Sequence, residues 1–287
     1  MDHKAKGLFF VSLMSIVWAI LIIVSKLLLN KGVPVFTYLF QMVTLAAFFI
    51  FAYVVVFHRA KLCIPERSLL KYVILIALIG TAGANIVGYY GLEHSSSINY
   101  GFLVKTTVVF TVLFAHFFVG EKFNMHKAML VLLLLLGVYL ITTQGREIIP
   151  NKYDLLIVLS AFGYAFVNNI SKIALRNMEP EVLSLYRLSL GALFLFLFVI
   201  FFQEGFYHVR YPFYIVVGAL HMAALMLLIY KTLRITSVCY LSMMSMATPI
   251  VVTVIGIIFL NEHFSLVQAV GGFLIILSGA FIHSKNI

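Results

Sequence analysis

The sequence predicts an all-α membrane protein with ten transmembrane helices, arranged as two inverted five-helix repeats. Three observations lead to this fold class. First, 63% of the 287 residues are apolar and only 10% are charged, whereas about 25% of the residues in a typical soluble domain are charged. Second, the apolar residues form long continuous runs. Third, the second half of the chain repeats features of the first half in the same order.

The composition excludes several broad classes of protein. A chain this apolar cannot cover its surface with polar groups, which excludes a soluble enzyme, a nucleic-acid-binding domain and a disordered chain. Continuous apolar runs exclude an outer-membrane barrel, whose strands alternate polar and apolar residues. We attribute the formal charge of +10 to positive loops on the cytoplasmic side of a membrane. Cys63 and Cys239 are too few for a disulfide framework.

The apolar runs define the predicted spans. A helix needs about 20 apolar residues to cross a bilayer. Runs bounded by charged residues, Gly, Pro or Asn predict spans at 8–30, 35–57, 70–92, 98–119, 127–144, 153–175, 182–203, 211–230, 237–260 and 266–283. The first run is too long for the core of a signal peptide and no small-residue cleavage site follows it, so we expect a retained helix.

The distribution of basic residues predicts the orientation of the chain. Outside the spans, twelve Lys and Arg residues lie on the side of the N-terminal tail and four lie on the other side. Cytoplasmic loops of membrane proteins carry the excess of Lys and Arg. We therefore expect a multi-pass protein of the cell (inner or cytoplasmic) membrane with both termini in the cytoplasm.

An internal repeat divides the chain into predicted units at 1–146 and 147–287. Like residues keep their order when the chain is shifted by 146 or 141 positions, as in Trp18 and Tyr164, Ser25-Lys26 and Ser171-Lys172, Tyr89 and Tyr230, and Glu121 and Glu262. Five helices per unit mean that the second unit enters the membrane from the opposite side. Inverted repeats are typical of transporters that open to either face, with the binding site near the midplane.

Several motifs occur at matching places in the two units. The first unit carries Tyr90-Gly91-Leu92-Glu93-His94-Ser95-Ser96-Ser97 and then Gly120-Glu121-Lys122-Phe123. The second unit carries Leu233-Arg234-Ile235-Thr236-Ser237, then Ala247-Thr248-Pro249, then Asn261-Glu262-His263-Phe264. With these motifs the sequence resembles the EamA family of the drug/metabolite transporter superfamily, in two copies that cover nearly the whole chain. The resemblance implies a ten-helix inverted-repeat fold and the export of amino acids, other metabolites or toxic compounds.

The chain departs from the family pattern in ways that make the predicted site asymmetric. The family commonly carries Pro midway along the fourth helix of each unit, and this chain has Pro249 in the second unit but Val108 in the first. A basic residue usual in the second helix of the unit is present as Arg187 but replaced by Gln41 in the first unit.

Two cations within spans are candidates for substrate binding. Lys105 lies about seven residues into its span, and a lysine near the bilayer centre costs about 2.5–3.5 kcal/mol on insertion scales. It either faces a cavity and meets a substrate carboxylate or phosphate, or pairs with backbone carbonyls or a structural acid. Arg187 either contacts an anionic substrate or a gating carboxylate, or extends toward lipid phosphate. Lys26 and Lys172 lie near helix ends, where we expect their ammonium groups to reach the interface.

Polar stripes mark two further helix faces. Asn85 and Tyr89 share a face at a spacing of four, as do Tyr164 and Asn168, and such stripes face protein or water rather than lipid. Their side chains either bind substrate or form interhelical hydrogen bonds. His221 lies mid-span and is a candidate for a proton-linked step or a structural hydrogen bond. Thr248-Pro249 is a candidate hinge, because Pro removes an amide donor from the helix.

These features favour a secondary transporter that moves a small metabolite, such as an amino acid or organic acid, by alternating access, and the family resemblance implies export. No Asp or Glu lies in the middle third of a span, which disfavours the first alternative, multidrug export of cations. The second alternative is a non-transporting lipid-binding or assembly factor. The sequence has no catalytic motif, so we expect no enzyme, cofactor or metal site. The expected partners are a small-molecule substrate and membrane lipids, without nucleic acid, and a homodimer is left open.

Overall fold

The computed structural model describes residues 3–57, 67–119, 125–144, 151–202 and 211–284, which form helices and short connections without a β-strand. The helices are α1 (His3–Leu29), α2 (Val35–Phe57), α3 (Arg67–Leu75), a π-helix (Ile76–Ala84), α4 (Asn85–His94), α5 (Ser97–Leu103), a first 3₁₀ turn (Val104–Thr106), α6 (Thr107–Val119), α7 (Met125–Thr143), α8 (Lys152–Ala174), α9 (Pro180–Phe201), α10 (Pro212–Ile235), α11 (Val238–Met244), a second 3₁₀ turn (Ser245–Ala247), α12 (Thr248–Leu260) and α13 (Leu266–Ser284).

The surface of the described helices is apolar, as expected of a multi-pass membrane protein. Six helical segments in this part of the chain are long and apolar enough to cross a membrane, and each coincides with a predicted span. Shorter apolar helices occur at Met129–Ile141, Thr248–Leu260 and Leu266–Ser278. Large side chains such as Phe201 and Leu266 are 78% and 82% exposed, where only lipid can cover them at low cost. The total of ten spans stays a prediction.

Two of the predicted spans, 98–119 and 237–260, are each interrupted by a 3₁₀ turn. Hydroxyl groups accompany both interruptions. Thr106 donates to the Leu103 carbonyl and Ser245 donates to the Ser242 carbonyl, each at 2.8 Å, and such bonds compete with the regular helical pattern. Proline follows only the second turn, as Pro249. The first turn was not predicted, because Val108 stands where the proline would be.

The segment from Arg67 to His94 contains a second irregularity that the sequence analysis missed. Residues Ile76–Ala84 form a π-helix between α3 and α4. Insertions of this kind widen a helix and often occur at functional sites. Here the π-helix ends immediately before Asn85, a candidate site residue.

Helices from the two predicted repeats pack against one another rather than forming separate bundles. Helix α1 packs on α10 and α12, α2 packs on α9 and α10, and α7 packs on α13. Helix α8 packs on α4, α6 and the π-helix. The core therefore lies between the repeats, and a site in it is built from both.

The lysines expected to reach the interface instead bind the ends of helices. Lys26 donates to the carbonyls of Leu92 and Glu93 at 2.9 and 3.0 Å, at the C-terminus of α4. Lys172 donates to the carbonyls of Leu233 and Thr236 at 2.6 and 2.7 Å, at the C-terminus of α10. The last carbonyls of a helix have no partner within it and favour a cation. The predicted snorkelling is therefore wrong.

Carboxylates connect the repeats near the start of α5. Glu262 accepts hydrogen bonds from the Ser97 amide and hydroxyl at 2.7 and 2.9 Å and from the Ile98 amide at 3.0 Å. Glu262 thus caps the N-terminus of α5. A buried polar cluster lies nearby, in which Asp154 accepts from Ser95 and Asn99, and Asn99 accepts from Gln268.

Candidate functional site

A cavity of about 60 Å³ lies between the two predicted repeats. One water needs roughly 10–15 Å³ of such space, so the cavity can hold several waters or part of a small molecule. Helices α1, α4, α5, α6, α8, α9, α10 and α11 contribute to its wall, together with both 3₁₀ turns. Six of the predicted site residues line it, namely Asn85, Tyr89, Lys105, Tyr164, Asn168 and Arg187. Their binding of a substrate stays a prediction.

Lys105 occupies the first 3₁₀ turn and is 1% exposed. Its Nζ donates to Ser245 Oγ at 3.3 Å, in the second 3₁₀ turn. The same nitrogen lies 3.8 Å from the centroid of the Trp18 ring, a distance at which an aromatic face attracts a cation. These partners are a side-chain hydroxyl and an aromatic ring, and they differ from the backbone carbonyls or the structural acid weighed from the sequence. The irregular turns of the two repeats thus meet at this ammonium group.

Arg187 lies on α9 and is 3% exposed, and hydroxyl groups from two other helices bind its guanidinium. Its Nε donates to Thr81 Oγ1 and its Nη1 donates to Tyr230 Oη, each at 2.9 Å. A Cβ added at Gly80 would lie 2.9 Å from Arg187 Nη2, so the π-helix leaves space for the guanidinium by having glycine there. The alternative in which Arg187 extends toward lipid phosphate is wrong, because the guanidinium is buried against the π-helix.

Asn85 and Tyr164 bind each other across the cavity wall. Tyr164 Oη donates to Asn85 Oδ1 at 2.6 Å, and Asn85 Nδ2 donates to the Thr81 carbonyl at 3.0 Å. Interhelical hydrogen bonding, one of the two readings weighed for Asn85, therefore occurs in this structure while the side chain also lines the cavity. Tyr89 accepts a long hydrogen bond of 3.4 Å from Ser25. Asn168 lines the cavity one turn along α8 from Tyr164.

The remaining predicted residues lie apart from these groups. His221 Nδ1 is 2.7 Å from the Val217 carbonyl on its own helix, and the cavity wall at this point is formed by the adjacent Met222. Thr248 and Pro249 begin α12, directly after the second 3₁₀ turn. Thr248 and Pro249 thus lie where the helix is interrupted, as a hinge would require. The hinge motion itself stays a prediction. The described residues contain no group of three or more His, Cys, Asp or Glu placed to hold a metal.

The EamA-like transporter family matches this chain twice, over residues 5–143 and 151–284. The two matches together cover almost all of the sequence. The chain belongs to the EamA-like transporter family. Its two family copies account for the paired motifs, and membership places the chain in a family of transporters.

Relatives of this EamA-like transporter are themselves named only as transporters. It is 27% identical to "Uncharacterized transporter YoaV" of Bacillus subtilis (strain 168) over 150 residues, which is 50% of each chain. It is 27% identical to an "Uncharacterized transporter" of Archaeoglobus fulgidus over 193 residues, covering 66% of this chain and 65% of the relative. The alignments thus span between half and two thirds of these relatives, and their names specify no substrate.

A solved structure shares the fold of this EamA-like transporter. A protein of known crystal structure matches with a TM-score of 0.69 at 18% identity, over 98% of this chain and 97% of the other. At this identity the likeness concerns the fold alone.

The structure adds site residues that the sequence analysis did not select. Trp18 and Ser245 hold Lys105, whereas Thr81 and Tyr230 hold Arg187. The repeat contained a signal for some of them, because the chain shifts had already paired Trp18 with the candidate Tyr164 and Tyr230 with the candidate Tyr89. Ser245 had no such signal, since its role depends on contact with Lys105, which lies 140 positions away.

Proposed function

We propose that this EamA-like transporter is a secondary transporter that exports a small organic acid or amino acid across the cell membrane by alternating access. Residues 1–146 and 147–287 are the two inverted five-helix halves, and the cavity between them is the substrate site. The substrate and the surrounding lipids are its partners.

The observation that carries this proposal is the pair of buried cations on the cavity wall. Lys105 and Arg187 are both nearly inaccessible to solvent, and Asp and Glu are absent from the described lining of the cavity. An intramembrane charge is costly and usually marks a substrate or ion pathway. Two cations attract an anionic group and repel a cationic drug, which favours a metabolite over multidrug export.

The pattern of helix packing supports alternating access. Most of the larger contacts between helices occur in pairs that are related by exchanging the two repeats. The contact of α1 with α10 corresponds to the contact of α8 with α4 and the π-helix, and the contact of α1 with α12 corresponds to that of α8 with α6. The contacts of α2 with α9 and of α7 with α13 each join equivalent helices of the two repeats, so the exchange leaves them unchanged. Exchange of conformations between equivalent halves is how inverted-repeat transporters open to each face in turn. We place a hinge of this motion at Thr248 and Pro249.

We place both chain termini in the cytoplasm. The test uses single-cysteine variants of a protein carrying Cys63→Ser and Cys239→Ser, labelled in intact cells with a membrane-impermeant maleimide. Lys31→Cys, in the exposed connection after α1, is expected to react from outside. Arg176→Cys, exposed after α8, is expected to react only after the cells are opened. The reverse pattern would overturn the orientation.

Export is tested by untargeted mass spectrometry of small molecules inside and outside cells that express the protein. We expect at least one anionic or zwitterionic compound to accumulate outside with the wild type and not with Lys105→Met. Lys71→Met is the matched control, because Lys71 is exposed and lies 5.1 Å over the Tyr72 ring, away from the cavity. It is expected to export like the wild type.

The other outcomes separate the elements of the proposal. Equal export by the wild type and a folded Lys105→Met variant would retain transport and remove Lys105 from the pathway. No change in any pool would contradict export and lead to an uptake assay. Cysteine at Asn85 or Asn168 that stays inert to water-soluble thiol reagents would indicate a sealed, non-transporting bundle.

A further inference from the structure

The described lining of the cavity has basic side chains without an acidic counterpart. Lys105 and Arg187 are these two basic side chains, and the other described lining groups are hydroxyls, amides, aromatic rings and apolar side chains. A buried charge without a counter-charge is unfavourable, because the interior screens and solvates it poorly. A ligand with two anionic groups would supply one counter-charge to each basic side chain and so favour the charged form of both.

The acids that the structure describes are bound elsewhere. Asp154 lies in the polar cluster and Glu262 caps α5. Glu181 is 3.4 Å from Lys231 and Glu179 is 3.3 Å from Arg234, both on α10. The fifth, Glu93, is 3.5 Å from His94. The described part of the chain thus has no acid paired with either cavity cation.

The two cations are held separately. Lys105 contacts Trp18 and Ser245, whereas Arg187 contacts Thr81 and Tyr230. Neither side chain shares a hydrogen-bond partner with the other. The hydrogen bonds given above use Nε and Nη1 of Arg187 and one proton of the Lys105 ammonium group. Each cation therefore retains further N–H donors for a ligand. The geometry provides two separate places for anionic groups.

Resting on the proposed function, we propose that the transported substrate is a dicarboxylate, with one carboxylate bound to Lys105 and the other bound to Arg187. The carbon chain between them packs against the aromatic and methionine side chains of the wall, including Trp18 and Met222. A monocarboxylate leaves one cation without a counter-charge. An inorganic dianion balances the charge but leaves the apolar wall uncovered.

The test compares ligands of equal size and different charge on the purified full-length protein. Succinate and butyrate each have four carbons, and sulfate is the inorganic dianion. Binding is measured from the shift of the thermal unfolding midpoint with ligand concentration. We expect succinate to bind the wild type at least about tenfold more tightly than butyrate, the ratio typical of one added charged hydrogen bond. Sulfate is expected to bind more weakly than succinate.

Variants assign the preference to the two cations. Lys105→Met and Arg187→Gln each remove one charge, so we expect the ratio of butyrate to succinate dissociation constants to fall to within about threefold of unity in either variant. Lys71→Gln, at the exposed cation used above as a control, is expected to keep the wild-type ratio. If a variant does not fold, the ratio measured on the wild type still decides between a dianion and a monoanion.

Each other result has a defined meaning. Equal binding of butyrate and succinate, abolished by both variants, would overturn the dicarboxylate and retain an anion transporter. Sulfate binding as tight as that of succinate would overturn the organic ligand. No binding by any of the three would overturn this inference, whereas the proposed function fails only if export in cells is also absent.

Discussion

At the scale of single residues, the site is built from cations held by neutral hydroxyls and rings. Arg187 is fixed by Thr81 and Tyr230, and Lys105 is fixed by Ser245 and Trp18. Neutral partners orient a cation without cancelling its charge, so the positive potential remains available to a ligand. A carboxylate partner would instead have balanced the site in the absence of substrate.

The hydroxyl of Tyr230 is therefore expected to matter more than that of its repeat counterpart. Tyr230→Phe leaves Arg187 Nη1 buried without its acceptor at 2.9 Å, so we expect a loss of about 1–2 kcal/mol in unfolding free energy. Tyr89→Phe, which removes only the 3.4 Å contact with Ser25, is the matched control with a loss below about 0.6 kcal/mol. Thermal unfolding in detergent measures both, and equal losses would contradict the assigned role.

At the scale of helices, the candidate site lies where regular structure stops. The two 3₁₀ turns bring Lys105 and Ser245 to the cavity wall, and the π-helix brings Thr81 to Arg187. In a bilayer, irregular backbone is tolerated where protein or a cavity satisfies its polar groups. The same requirement holds at the ends of α4 and α10, where lysines from neighbouring helices donate to the last backbone carbonyls.

Removal of either capping lysine is expected to lower stability. Lys172→Met leaves the carbonyls of Leu233 and Thr236 without their ammonium donor, with an expected loss of about 1.5–3 kcal/mol in unfolding free energy. Lys26→Met is expected to behave in the same way at the end of α4. The measurement is the thermal midpoint, with Lys71→Met as an exposed control. An unchanged midpoint for Lys172→Met would show that water replaces the ammonium group.

The proline at the second 3₁₀ turn is expected to be dispensable for the turn itself. The first 3₁₀ turn forms with Val108 at the matching place, and Pro249 lies at the N-terminal end of α12, where proline is tolerated. We expect Pro249→Ala to change unfolding free energy by less than about 1 kcal/mol but to slow the export measured in cells, because the proposed hinge includes this proline. Undiminished export by a stable Pro249→Ala protein would remove the proline from the hinge.

At the scale of the whole molecule, the repeats are joined by contacts that neither makes alone. Glu262 in the second copy caps α5 in the first, and Asp154 on α8 accepts from Ser95 and Asn99 in the first copy. In a protein that rocks its halves, such contacts must either break or move as a unit. They are the places where a substitution changes stability and transport together.

Glu262→Gln tests the connection between the repeats. In the variant an NH₂ group, which donates, replaces the carboxylate oxygen that accepts from the Ser97 hydroxyl and the Ile98 amide. We therefore expect a loss of about 1–2 kcal/mol in unfolding free energy and slower export. Glu93→Gln is the control, because Glu93 is only partly buried and its carboxylate contacts His94. Equal thermal midpoints for Glu262→Gln and the wild type would show that α5 does not depend on this cap.

The environment of the chain and much of its candidate site follow from local properties of the sequence. Continuous apolar runs require a bilayer because water cannot solvate them, and the paired motifs identified two family copies. Helical spacing placed Asn85 with Tyr89 and Tyr164 with Asn168 on shared faces, and the depth of Lys105 in its span made it a candidate for a cavity wall. Each of these inferences uses only local properties: hydropathy, spacing along one helix and the cost of one charge in lipid.

The tertiary structure alone decided which groups these residues contact. Thr81 and Tyr230 around Arg187, Ser245 beside Lys105 and the carbonyls bound by Lys172 come from helices distant in sequence. Neither the first 3₁₀ turn nor the π-helix contains a proline from which it could have been predicted. A polar group in lipid must find a partner, but several partners satisfy that requirement equally well, and only the packing of the two repeats against each other selects one.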